Sequence, residues 1–245
     1  MKGKVSKNKF LKVVLPALLV VAIICQAVGF QAVLAKGNVA TTSSDSISNL
    51  TDQQLQALTN PILQSYKADS SHKVWKMTDD SRLAVLANQT NIENARLQEV
   101  VKLVNSEFVE KEIISSPLAM VYAQEKDVSY GDILIDIDQT SSITSSSNSK
   151  EAYKITIGEN GVRLTGASEN AIMHGLRTIQ NLIITNDGLV YGEIVDYPNV
   201  AERRVHVDCA RKYISKDWFI RQIREMSYMK MNALQIHFSA HMGFR

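Results

Sequence analysis

The chain has 245 residues, with 27 Lys+Arg against 25 Asp+Glu, a formal net charge of +2 and 45% hydrophobic residues. With only 11 Gly and 4 Pro, this composition excludes collagen-like, low-complexity and highly charged disordered proteins. The charge also argues against a nucleic-acid binder, because the positive excess is confined to residues 1–35, and the remainder carries −3.

Residues 1–35 hold Lys2, Lys4, Lys7, Lys9 and Lys12 and no Asp, Glu or Arg. An apolar run, Val13 to Val28, follows, and Val33-Leu34-Ala35 offers small or aliphatic residues at the −3 and −1 positions of a signal-peptidase site. The segment reads as a bacterial-type signal peptide cleaved after Ala35, which makes the protein secreted or cell-surface. An uncleaved anchor is the alternative, since a run reaching Leu34 is long enough to span a bilayer. Membrane contact is expected only through this segment. Cys25 lies within it, leaving Cys209 alone in the rest of the chain, so no internal disulfide is expected there. Five scattered histidines show no zinc-type spacing, and no metal or other cofactor is expected.

Residues 36–70 read as a leader or linker. Lys36 to Ser48 is rich in Thr, Ser and Asn, and Pro61 interrupts a weak helical spacing over Asn49 to Tyr66. From Lys73 the pattern is denser. Lys73 to Met77 and Arg82 to Ala87 are short strands, and Asn91 to Phe108 repeats apolar residues as one amphipathic helix does. Leu118 to Ala123 and Asp132 to Asp138 are strands. In the second, Ile133, Ile135 and Ile137 alternate with Leu134, Asp136 and Asp138, so the carboxylates are expected at a solvent-facing strand edge. Gln139 to Ser149 is a Ser/Thr/Asn loop. Tyr153 to Ile157 and Val162 to Thr165 flank Gly158-Glu159-Asn160-Gly161 as a hairpin, Ser168 caps a helix, and Leu189 to Val195 is a further strand. Residues 71–196 therefore read as an α+β domain, a sheet with its helices on one face.

In residues 197–245, Arg203 to Asp208 is strand-length, Ser215 caps a helix whose apolar face is Phe219, Ile223 and Met226, and Ala233 to Ser239 is the next strand. This is one βαβ unit.

Two stretches resemble glycoside hydrolase family 20, the β-N-acetylhexosaminidases and lacto-N-biosidase. The first is Tyr153-Lys-Ile-Thr-Ile, then Gly161-Val-Arg-Leu-Thr-Gly-Ala and His174-Gly-Leu-Arg-Thr-Ile-Gln-Asn-Leu. It is similar to the end of the family's non-catalytic domain. The second is Asp196-Tyr-Pro-Asn, Arg203-Arg-Val-His-Val-Asp-Cys-Ala-Arg-Lys-Tyr-Ile-Ser and Met229-Lys-Met-Asn-Ala-Leu-Gln-Ile-His-Phe-Ser, which resembles the start of the family's TIM (β/α)8 barrel.

The resemblance implies a secreted glycosidase that removes terminal N-acetylhexosamine, or lacto-N-biose, from glycans by a substrate-assisted retaining reaction. It implies Arg211 as a substrate-binding residue holding sugar hydroxyls, with Asp208 and His237 in support. It also implies an adjacent Asp-Glu catalytic pair, and none occurs from Arg203 to Arg245. Those 43 residues fall far short of the roughly 250 of a complete barrel, so the chain reads as truncated before its catalytic pair and inactive alone. A non-catalytic carbohydrate-binding or adaptor module, or a pseudogene fragment, are the other readings.

Overall fold

The computed structural model describes residues 47–138, 150–210 and 212–238. Every described residue belongs to one compact unit, Ser43–Arg245. The expected signal or anchor segment, the expected loop over Gln139 to Ser149 and residues 239–245 lie outside the described residues.

The α+β domain begins earlier than its sequence pattern suggests. A short helix, α1 (Asp52–Gln56), opens on a capping box: Thr51 Oγ1 accepts from Gln54 N at 3.4 Å, and Gln54 Oε1 accepts from Thr51 N at 2.9 Å. Strand β1 (Ser65–Ala68) follows, and Ala68 N donates to Asp52 Oδ1 at 3.0 Å. Ile47, Leu55, Leu63 and Tyr66 are buried in the main core. The linker reading of residues 36–70 is therefore corrected from Ile47 onward. Its polar composition hides four well-spaced anchors that find partners far along the chain.

Next come β2 (Val74–Trp75), β3 (Arg82–Leu86), α2 (Gln89–Ile92), α3 (Ala95–Glu110), β4 (Ala119–Ala123), β5 (Ile133–Ile137), β6 (Tyr153–Gly158), β7 (Gly161–Gly166), α4 (Glu169–Asn186), β8 (Leu189–Val190) and β9 (Gly192–Asp196). Seven strands form one sheet in the order β1-β9-β6-β7-β5-β3-β4. Pairs from β1 to β7 are antiparallel, and pairs from β7 to β4 are parallel. Alternation along the strands sends Leu83, Val85, Ile133, Ile135, Ile155 and Leu164 to one face, where Leu97, Val101, Val104 and Phe108 of α3 and Ile172, Leu176 and Ile179 of α4 cover them. A small second cluster, Ala84, Ala123 and Leu134, lies apart from that core.

Three local expectations change. The single helix over Asn91 to Phe108 is two, because the Asn94 side chain accepts from Leu97 N at 2.9 Å and starts α3 afresh. The strand Leu189 to Val195 is also two: β8 pairs with β2, while β9 pairs with β1 and β6. Gly192 makes the break at φ +148, and a Cβ there would sit 2.1 Å from Lys67 O. Gly192→Ala is expected to lower stability by at least about 2 kcal/mol, from backbone strain plus separation of β1 from β9. Urea unfolding checks this, and an unchanged midpoint would contradict the close approach.

The third change concerns Asp136, which is buried on a strand held between β7 and β3. It accepts from Asn88 Nδ2 at 3.2 Å and Asn91 Nδ2 at 2.9 Å, with Arg163 Nη2 at 3.5 Å. The expected solvent-facing edge is thus a buried cross-link, and Asp136 is tied up structurally.

After β9 the chain forms β10 (Arg204–Asp208), α5 (Lys216–Tyr228) and β11 (Ala233–His237), with β10 and β11 parallel. Ser215 caps α5, accepting from Trp218 N at 3.3 Å. Of the anticipated apolar face of α5, Met226 is buried, whereas Ile223 remains 51% exposed.

Candidate functional site

Two groups of polar residues gather around the βαβ unit, one at each end of its strands. At the carboxyl ends, the register pairs Asp208 with His237 and His206 with Gln235. Paired residues of parallel strands share a face, so Arg204, His206 and Asp208 of β10 line up with Gln235 and His237 of β11. The alternate positions, Val205, Val207, Leu234 and Ile236, make the opposite face apolar. The His206 and His237 rings stand 6.1 Å apart, edge to face. Cys209 N donates to His237 O at 2.9 Å and closes the strand ends together.

Asp208 is exposed, and its Oδ1 accepts from Ala210 N at 2.8 Å. The carboxylate therefore holds the turn that leads into residue 211. His237 is exposed on the same face. Arg211 lies outside the described residues. His206 was not singled out from sequence, although the alternation Arg204-Val-His-Val-Asp208 already places it on the face of Asp208.

The second group lies at the amino-terminal ends of the strands, around a cavity of about 250 Å³ lined by Glu151, Tyr153, His174, Asp196, Arg203 and Lys230 among others. Arg203 pairs with Glu151, and its Nε donates to Lys230 O at 2.8 Å. Lys230 Nζ donates to Asp196 Oδ2 at 2.9 Å and to Tyr153 OH at 2.8 Å. Tyr153 OH also lies 2.6 Å from Asp196 Oδ2 and 2.5 Å from Thr178 Oγ1. Burial pulls the Lys230 ammonium below its ordinary value while the Asp196 carboxylate opposes it, and burial pushes the Tyr153 phenol up. None of these residues was picked out as a site residue from sequence, because each finds its partners only through the fold.

Glu151 shows how strongly this cluster acts. Burial alone raises its carboxyl, but His174 at 3.8 Å and the Arg203 guanidinium outweigh that and hold it at about 2. A carboxylate depressed from 4.5 to about 2 contributes stability that is complete above pH 4.5 and disappears as the pH falls to about 2. After allowance for partial solvent screening the contribution is about 2 kcal/mol. Glu151→Gln should therefore trail the parent chain at pH 6 and converge with it near pH 2.5 in urea titrations. A gap that stays constant over that range contradicts the assignment.

Residues 61–197, more than half of the chain, match the family model for glycosyl hydrolase family 20, domain 2, and residues 202–245 match that for the glycosyl hydrolase family 20 catalytic domain. The chain belongs to glycosyl hydrolase family 20.

Among curated relatives, β-hexosaminidase B of Pseudoalteromonas piscicida is 31% identical over 94 residues, which is 38% of this chain and 12% of that protein. A β-hexosaminidase of Akkermansia muciniphila is 28% identical over 99 residues, 39% of this chain and 20% of that protein. The stretches matched thus span a fifth or less of these relatives. Among solved structures, Flavobacterium johnsoniae chitobiase superposes with a TM-score of 0.63 at 18% identity, covering 80% of this chain and 29% of that one. Streptomyces plicatus N-acetyl-β-hexosaminidase, in complex with thio-NAglucal, gives 0.62 at 17% identity, covering 80% and 37%. These likenesses establish the fold: the family's α+β domain followed by the first βαβ unit of its barrel.

Proposed function

We propose that this chain supplies the α+β domain and the first two barrel strands of a secreted, exo-acting β-N-acetylhexosaminidase that acts on glycans ending in N-acetylhexosamine. The observation that carries the reading is the match of residues 202–245 to the family's catalytic domain, with Asp208 and His237 side by side at the strand ends. Barrel enzymes place their chemistry at that end. Relatives named as β-hexosaminidases and a chitobiase, and a related structure bound to GlcNAc, support the substrate class.

In this reading Arg211 binds the sugar. A guanidinium presents a fixed fork of donors suited to two adjacent ring hydroxyls, and Asp208 steadies the turn that delivers it. The reaction is substrate-assisted: the 2-acetamido oxygen attacks the anomeric carbon with retention while an adjacent Asp-Glu pair orients the acetamido group and protonates the leaving oxygen. Residues 203–245 contain no adjacent Asp-Glu, so this chain's contribution is binding and positioning. The lysine-led apolar segment before Ala35 supports export.

A chromogenic N-acetylglucosaminide is the test. The 245-residue chain should give no turnover above the uncatalysed rate. Continued through a complete barrel, it should turn over, and Arg211→Ala should then lower kcat/KM by about 100-fold, the loss of two charge-assisted hydrogen bonds. Turnover by the 245 residues alone, or an Arg211→Ala enzyme of undiminished kcat/KM, overturns the assignment.

A further inference from the structure

The cross-links between the α+β domain and the βαβ unit gather at one end of that unit. They come from Arg203, just before β10, and from Ser227, Tyr228, Lys230 and Asn232, between the end of α5 and the start of β11. Arg203 pairs with Glu151, and Asn232 Nδ2 donates to Glu151 Oε1 at 3.3 Å. Arg177 Nη2 lies 3.4 Å from Ser227 Oγ, and Lys111 Nζ sits 4.3 Å above the Tyr228 ring. This is the amino-terminal end of both strands, opposite the end that carries Asp208 and His237.

Lys230 is the deepest of these contacts. It is only 5% exposed, and its backbone takes φ +56, a left-handed conformation that a side chain with a Cβ rarely adopts. Such a conformation persists where the surroundings over-determine it. The surroundings here are a prepared acceptor. Besides the ammonium, the Asp196 carboxylate receives Gln64 N at 3.1 Å and the Tyr153 hydroxyl at 2.6 Å. Lys230 also sits in the turn where β11 takes its register on β10: Asn232 N and Ala233 N both donate to Arg203 O, at 3.1 and 3.2 Å.

We infer that Lys230 is a positioning residue: its docking against the hydrogen-bonded Asp196–Tyr153 pair makes the α+β domain a base plate that sets the placement and register of the first barrel strands. His237 lies seven residues after Lys230, and Asp208 is paired directly beside His237, so whatever fixes the turn fixes the two site residues at the opposite end of the strands. The functional part of this inference rests on the glycosidase reading; the positioning itself does not.

Hydrogen–deuterium exchange of the full chain, read by mass spectrometry without substrate, tests it. Lys230→Met should speed exchange across β10 and β11 at least tenfold and change β3 and β5 less than twofold. A smaller rise in β10 and β11, or an equal rise in β3 and β5, overturns the inference. The double variant Asp196→Asn/Lys230→Met separates positioning from simple charge neutralisation, since it leaves no unpaired buried charge and serves if the single variant does not fold. Loosening of β10 and β11 should persist in it, and protection restored to the parent level overturns the inference. Neither outcome depends on whether the protein cleaves a glycan.

Discussion

Arg177→Met should destabilise the chain by about 3–5 kcal/mol, the usual effect of stripping one partner from a buried ion pair. Arg177 sits mid-way along α4, 2% exposed, and pairs with Glu107 of α3 through both terminal nitrogens. Gln180 Oε1 accepts a further bond from it at 2.9 Å. Burial pulls the guanidinium below its ordinary value, yet it stays charged throughout the accessible pH range. Methionine fills much of the same volume, so the loss comes from the Glu107 carboxylate left without its cation. The double variant Glu107→Leu/Arg177→Met removes that stranded charge and should regain most of the loss. Denaturant titrations of the parent, single and double variants check this. Equal losses in the single and double variants would place the effect in packing.

Trp75→Ala should be comparably severe, about 3–5 kcal/mol, which for a chain of this size lowers Tm by roughly 10 °C. Trp75 is fully buried although its strand is two residues long and pairs only with Leu189 and Val190. Its indole Nε1 donates to Tyr130 O at 2.6 Å, so the residue also fixes the loop before β5. Trp75→Phe keeps most of the apolar contact and loses the donor, and about 1–2 kcal/mol is expected from that change. Calorimetry on the two variants distinguishes packing from the hydrogen bond, and similar melting temperatures for both would assign the effect to the hydrogen bond.

The elements legible in the sequence are those whose signals are local. The β6–β7 hairpin turns where Gly161 supplies φ +90, and Ser168 and Ser215 cap α4 and α5 as their positions indicate. The βαβ unit follows from alternation in β10 and helical spacing in α5. What escaped depends on distant partners. The burial of Asp136 needs Asn88 and Asn91, β1 is a strand because β9 lies beside it, and Gly192 breaks a continuous apolar run only because Lys67 approaches. The same division holds at the site. Asp208 and His237, marked by the family resemblance at the ends of two short strands, pair across the register, whereas the Glu151, Asp196 and Lys230 cluster joins residues up to 79 positions apart in sequence and carries no local mark.

The pairing of β1 with β9 has a consequence for how such a domain travels between proteins. Ser65 lies opposite Val195, so the polypeptide enters and leaves the α+β sheet at neighbouring positions on one edge. A module with adjoining ends can be added ahead of a catalytic barrel, or removed, without rethreading either partner. A circular permutant of this domain would need a linker that spares residues 47–64, because Ile47, Leu55 and Leu63 belong to the same core.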